Sequence, residues 1–248
     1  MDFPTPLIPG RLVQRYKRFL ADVALEDGTV VTAHCPNPGS MLGLKTPGLP
    51  VWLSDHAGKK RKLRYTLELV RLVEGMEAGV MVGINTSLPN RLAVEAIRAG
   101  QIVELSGYPE LRREVPYGRN SRVDIVLSGD DRPPCWVEVK NVHLRRPDGP
   151  WPTAAEFPDS VTARGAKHLK DLAERVSLGD RAAMLFIVQR GDCDHFRAAA
   201  DIDRTYAAGL RAAAEAGVEL LCYACTVACD GIAVDNRIPI KGDGLIPA

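Results

Sequence analysis

The sequence predicts a small β-barrel followed by an α/β domain, and three observations carry that expectation. The first eighty or so residues break into short apolar runs separated by Gly/Pro-rich links. Near Asn85-Thr86-Ser87 the composition shifts to an apolar pattern with helical spacing, NRLAVEAIRAG. Beyond it, apolar strand-like runs alternate with helical stretches, a β–α–β order that belongs to a layered α/β fold.

Taken in order, Arg11–Val23 is an apolar stretch in which Arg11, Arg15, Lys17 and Arg18 interleave with Tyr16 and Phe19. Glu26-Asp27-Gly28 supplies a turn into Thr29–His34. The segment His34–Met41, HCPNPGSM, is a rigid polar turn whose Asn37 and Ser40 either satisfy local amides or face a ligand. Further strands are expected at Val51–Ser54, Leu63–Val73 and Val80–Ile84, and five short strands of this kind suit a small barrel. Lys59-Lys60-Arg61-Lys62, followed by Arg64 and Tyr65, forms the densest basic cluster of the chain. Such cations contact phosphates and neighbouring aromatic faces stack bases, whereas a solvated loop is the plain alternative. Arg15, Lys17 and Arg18 could add to the same face.

The boundary is expected at residues 82–86, giving a barrel over 1–84 and an α/β domain over 85–248. Leu92, Ala96 and Ile97 define the apolar face of the first helix, and Gly100 stops it. After the central hairpin, residues 143–161 are too rich in proline for a packed element, and Arg145 and Arg146 beside Trp151 could follow a phosphate backbone. Asp159 or Ser160 caps a helix running to Ser177, which Gly165 interrupts in a way that calls for close approach of another group. Ala182–Val188 reads as a buried strand, Asp203–Ala216 as a helix and Val218–Cys225 as a final strand, with a peripheral tail from Asn236.

The chemistry is concentrated in SRVDIVLSGDDRPPCWVEVKN, residues 121–141. Two apolar strands, Val123–Leu127 and Cys135–Val139, flank a turn-rich link. Pairing them about Asp131 sets Asp124 opposite Glu138, with Cβ atoms about 4.5–5.5 Å apart. Strand alternation puts Glu138 and Lys140 on one face. Two carboxylates so close repel unless a cation lies between them, and hard oxygen donors suit Mg²⁺ or Mn²⁺. Such an ion polarises a phosphodiester and acidifies a water, which Lys140 can orient. A surface salt bridge on a hairpin is the alternative that spacing alone leaves open.

Composition limits the other options. The formal net charge is only +1, so nucleic-acid contacts must come from local patches. No basic leader or bilayer-length apolar run is present, which predicts a cytoplasmic protein without a membrane partner. The six cysteines read as free thiols in a reducing compartment, since Cys222 and Cys225 fall on opposite faces of a strand. No Walker-type loop or acyl-transfer nucleophile motif supports a small-molecule enzyme of sugar metabolism.

The D-x(n)-E-x-K pattern resembles the PD-(D/E)-x-K nucleases. The whole chain resembles the sugar fermentation stimulation protein A family, through RLVQRYKRFLADV, HCPNPGSM, NRLAVEAI, SGYPEL, SRVDIVL, WVEVKNV, FPDSVTARGAKHLKDL and IDRTYAAGL in order. The resemblance implies an OB-like barrel followed by a restriction-endonuclease-like α/β domain associated with DNA binding. It implies a catalytic set of Asp124, Glu138 and Lys140, with Asp124 and Glu138 as metal ligands. It also makes Glu95, on the helix before the strands, a third acidic candidate, an ion pair with Arg91 or Arg98 being the alternative. Lys167 and His168, on the helix after the strands, become candidates for holding the scissile phosphate. Relatives commonly carry Glu at the position of Ala163 and Thr at that of Pro38. The expected function is DNA binding with a metal-dependent phosphodiesterase site; a DNA-binding regulator with a silent site is the alternative.

Overall fold

A computed structural model of the chain describes residues 1–58, 60–73, 79–117 and 121–242. Lys59 of the predicted basic cluster lies outside the described residues.

The first domain is built from β1 (Ile8–Tyr16), β2 (Leu20–Leu25), β3 (Val30–His34), β4 (Pro50–Asp55) and β5 (Tyr65–Leu72), with β6 (Val80–Gly83) added to β5. The order β3-β2-β1-β4-β5 closes on itself, because β3 also pairs in parallel with β5 through Ala33–Tyr65 and His34–Thr66. Closure leaves no free edge among the five strands, and their inward-facing side chains, Leu12, Val23, Val51, Leu53 and Leu67 among them, fill the interior. This is the five-stranded barrel of the OB fold. The Arg11–Val23 stretch falls in two strands, split by a turn at Lys17 and Arg18, whose φ angles are 48° and 63°.

The second domain opens with α1 (Pro89–Arg98), which Pro89 starts and Gly100, at φ 71°, ends. It packs Leu92, Ala93, Ala96 and Ile97 on one face of a six-stranded sheet. That sheet has the order β14-β13-β11-β9-β8-β7, made of β7 (Glu110–Tyr117), β8 (Ser121–Gly129), β9 (Arg132–Val142), β11 (Arg181–Val188), β13 (Glu219–Val227) and β14 (Ile232–Arg237). β7, β8 and β9 form an antiparallel meander, and β9, β11 and β13 run parallel. Helices α2 (Ala163–Ser177) and α3 (Arg204–Glu215) cover the opposite face through Leu169, Leu172, Tyr206 and Leu210.

Three expectations need correction. The central turn is only Asp130-Asp131, and β9 runs through Pro133 and Pro134. The proline-rich segment contains a buried strand, β10 (Ala154–Phe157), paired in parallel with β12 (His195–Ala198). Its arginines are already engaged: Arg145 with Asp192 at 2.9 Å, and Arg146 with Glu156 at 2.6 Å and Asp201 at 2.5 Å. All six cysteines are free thiols, five of them buried. No helix among the described residues is long and apolar enough to cross a membrane.

The two domains share packing. Leu7 and Leu69 of the barrel belong to the same apolar cluster as α1. A polar chain also crosses between them: the Gly83 amide donates to the Gln189 carbonyl at 2.8 Å, and the Gln189 side chain donates to the Asn85 carbonyl and to Asn141. Asn85 in turn donates to the buried Glu68 of the barrel at 2.7 Å, and Ser54 does the same from the other side.

Candidate active site

The β8–β9 register pairs Ile125 with Val137 and Val126 with Trp136, so the next step along it sets Asp124 across from Glu138. Glu138 is 2 % exposed. Its Oε1 accepts from the Lys140 ammonium at 2.6 Å and contacts Nδ1 of His168, which α2 presses down from the covering layer. Lys140 also lies 3.5 Å from His168 Nδ1, and Arg164, one turn earlier on α2, donates to His168 Nε2 at 3.3 Å. Asp124 is fixed from two sides: Asn90 of α1 donates to Oδ1 at 2.7 Å and the Val139 amide to Oδ2 at 2.8 Å.

These surroundings separate the two acids. Burial pushes the Glu138 carboxyl up, but the His168 contact and the Lys140 charge outweigh it and hold the group below its ordinary value. Burial and the neighbouring Glu138 charge push Asp124 above the usual carboxylate range, with the Val139 amide, Lys140 and Asn90 opposing only in part. A site that accepts one negative charge readily and a second at a cost is one that added positive charge would stabilise.

Among the described residues, no three His, Cys, Asp or Glu side chains converge as a metal-holding group. Two carboxylates do converge, and Glu138 Oε2 is buried with no hydrogen-bond partner. An unpartnered buried carboxylate oxygen costs free energy unless something donates to it or coordinates it. Beside a second, half-buried carboxylate, that oxygen fits a hard divalent cation.

The predicted residues divide clearly. Asp124, Glu138 and Lys140 come together, and His168 joins them as a buried partner of Glu138. Glu95 does not: it pairs with Arg91 at 2.8 Å and with the Met1 amino group at 3.0 Å, away from the hairpin. Asn90 is the α1 residue that reaches the site. Lys167 points outward and pairs with Asp171 at 2.8 Å. At the barrel, Lys17, Arg18, Lys60, Arg61 and Lys62 are exposed. Arg15 is spent on carbonyls of Arg18, Asn37 and Gly39 at 2.7–2.9 Å, and Arg64 forms a two-point ion pair with Asp55 at 2.6 and 2.7 Å. Tyr117, singled out by no motif, is buried on β7 with its hydroxyl unpartnered. Burial, Glu138 and other nearby acids push that hydroxyl well above its ordinary value.

Comparison with known proteins agrees with this architecture. The family model described as "Sugar fermentation stimulation protein RE domain" matches residues 87–231, and "SfsA N-terminal OB domain" matches residues 13–84. A "Sugar fermentation stimulation protein homolog" of Maricaulis maris is 60% identical over 241 residues, covering 97% of this chain and 99% of that protein. Another, of Rhodospirillum centenum, is 57% identical, covering 97% of this chain and all of that protein. The solved structure described as "The structure of Pyrococcus Furiosus SfsA in complex with Ca2+" superposes with a TM-score of 0.85 at 26% identity, covering 97% of this chain and 98% of the other. With both domain models matched in order and relatives aligned end to end, the chain belongs to the sugar fermentation stimulation protein family.

Proposed function

We propose that the chain binds DNA and cleaves it at a metal-dependent phosphodiesterase site formed by Asp124, Glu138 and Lys140. The observation that carries this reading is the meeting of a buried carboxylate that has an unpartnered oxygen, a half-buried one, and a lysine held at 2.6 Å. The related Pyrococcus furiosus protein was solved in complex with Ca²⁺, which supports a divalent ion as a ligand of this fold.

Asp124 and Glu138 would hold Mg²⁺ or Mn²⁺, which supplies Lewis-acid polarisation of the phosphodiester and acidifies water. The chain's own groups do the positioning. Asn90 and the Val139 amide lock the Asp124 carboxylate, and His168 with Lys140 fixes that of Glu138. The Lys140 ammonium, tethered to Glu138, orients the attacking water and faces the charge that grows on phosphorus.

A second reading is favoured by the same contacts. Both Asp124 oxygens and one Glu138 oxygen are already satisfied within the chain, as they would be in a DNA-binding regulator whose site is silent. A cleavage assay on single- and double-stranded DNA with Mg²⁺, Mn²⁺ or chelator, comparing wild type with Lys140→Ala, separates the two. Cleavage that needs both the metal and Lys140 is expected; DNA that is bound but never cut with any metal would assign the regulator role.

A further inference from the structure

The β1–β2 turn holds Lys17 and Arg18 in left-handed conformations, exposed and without an ion pair among the described residues. Arg15, beneath them, ties this turn to the 37–39 segment through three carbonyls. The next residue, Phe19, is 46% exposed and stacks on the exposed ring of His34, with centroids 6.5 Å apart and planes 24° from parallel. Strand pairing fixes what surrounds this aromatic pair. His34 lies between Leu20 on β2 and Thr66 on β5, so the β4–β5 loop with Lys60, Arg61 and Lys62 emerges at the same end of the barrel.

From there a cleft of about 680 Å³ runs between the barrel and the start of α2, lined by Arg18, Asn37, Ser40, Asn141, His143 and Thr162. In its wall the His143 side chain is 6% exposed, and Nε2 makes only a long contact, 3.4 Å, to Asp159 Oδ2. Asp159 is also engaged by the Met41 amide at 3.1 Å and by the Ser40 and Ser160 hydroxyls. Asn141 is the residue after Lys140, so the cleft reaches the strand that carries the candidate site.

We propose that this end of the barrel and the cleft bind a single DNA strand, with an unpaired base on the Phe19–His34 platform. The backbone passes Lys17, Arg18 and the 60–62 loop, and His143 donates from Nε2 to a phosphate oxygen inside the cleft. This rests on the nucleic-acid reading above and adds the substrate class. A ring platform can stack only on a base whose face is open, and a paired base within a duplex has none to offer. Cations at the rim, with a buried donor inside that has only a long contact to Asp159, suit one backbone, whereas a duplex would be met from outside.

Fluorescence anisotropy of the full chain in chelator, with labelled oligonucleotides of about 12 nucleotides at fixed salt, tests this without cleavage. The single strand should bind about tenfold more tightly than the duplex, and Phe19→Ala should remove most of that difference, because one stacked base is worth about tenfold. His143→Gln should weaken single-strand binding alone. If its melting curve shows it misfolded, the exposed Phe19→Ala decides. Equal affinity for both forms, no binding of either, or indifference to Phe19→Ala overturns the proposal. Strand-selective binding without cleavage under any metal would sink the phosphodiesterase reading and leave this one standing; cleavage with binding indifferent to Phe19 would do the reverse.

Discussion

Asp124 is a half-buried acid made harder to ionise by desolvation and by its neighbour Glu138. Its folded value lies above the unfolded one, so at neutral pH the ionised group opposes folding, and protonation or a neutral isostere removes the penalty. Asp124→Asn should therefore raise the melting temperature in chelator by a few degrees, on the order of 1 kcal/mol, while abolishing cleavage. A lower melting temperature, read by calorimetry, would mean that the charge is already compensated within the chain. Asp159 has the opposite sign. Burial raises it, but His143, the Met41 amide and Ser160 outweigh that and hold it down to about 2. Its contribution is complete above the unfolded value near 4 and is lost as pH falls towards 2, roughly 2 kcal/mol in all. Urea unfolding at stepped pH should show wild type losing more stability than Asp159→Asn across that interval; parallel curves would remove Asp159 from the acid response. At this scale the sequence identified the Asp124–Glu138–Lys140 set, because a two-residue strand period and a short turn leave little freedom in register. It misplaced the α1 contribution. Glu95 lies five residues beyond Asn90, about 140° around the helix, so the acid turns away when the asparagine faces the strands.

At the scale of elements, strands and helices with strong periodicity were legible: α1, α3, β11 and β13 fall within a few residues of expectation. Two features were not. The turn at Lys17-Arg18 carries no Gly, Asn or Asp, and the tight link between paired Tyr16 and Leu20 imposes its left-handed backbone. β10 is hidden among prolines and forms because β12 offers it a parallel partner far along the chain. The close approach expected at Gly165 is present: a Cβ there would sit 3.0 Å from the Tyr206 ring. Gly83, at the end of β6, has the larger consequence. A Cβ at that position would lie 2.6 Å from Gln189 Oε1 and 3.0 Å from the Gln189 Cβ, with little room to yield. Gly83→Ala should displace Gln189 from Asn85 and Asn141 and cost about 1–3 kcal/mol in denaturant unfolding. A change under about 0.5 kcal/mol would show that this junction is soft.

Across the whole molecule, the barrel presents exposed cations and an aromatic pair at one end, and the α/β domain presents the acid–lysine cluster on its central strands. Cleft and junction residues join them: Asn141 accepts from Gln189 one position after Lys140, and Asp159 holds Met41 of the barrel. The cations and the acid–lysine cluster were legible in the sequence, but their junction was not, since Asn85, Gln189, His143 and Asp159 are brought together only by the docking of two domains. In the proposed function, phosphodiester chemistry depends on a divalent-cation site formed by Asp124 and Glu138. Calorimetric titration of the full chain with Ca²⁺, wild type against Glu138→Gln, tests it without any substrate. One binding event per chain is predicted for wild type, weakened at least about tenfold in the variant, as expected for loss of an anionic ligand. No binding to wild type, or equal binding to both proteins, would contradict it.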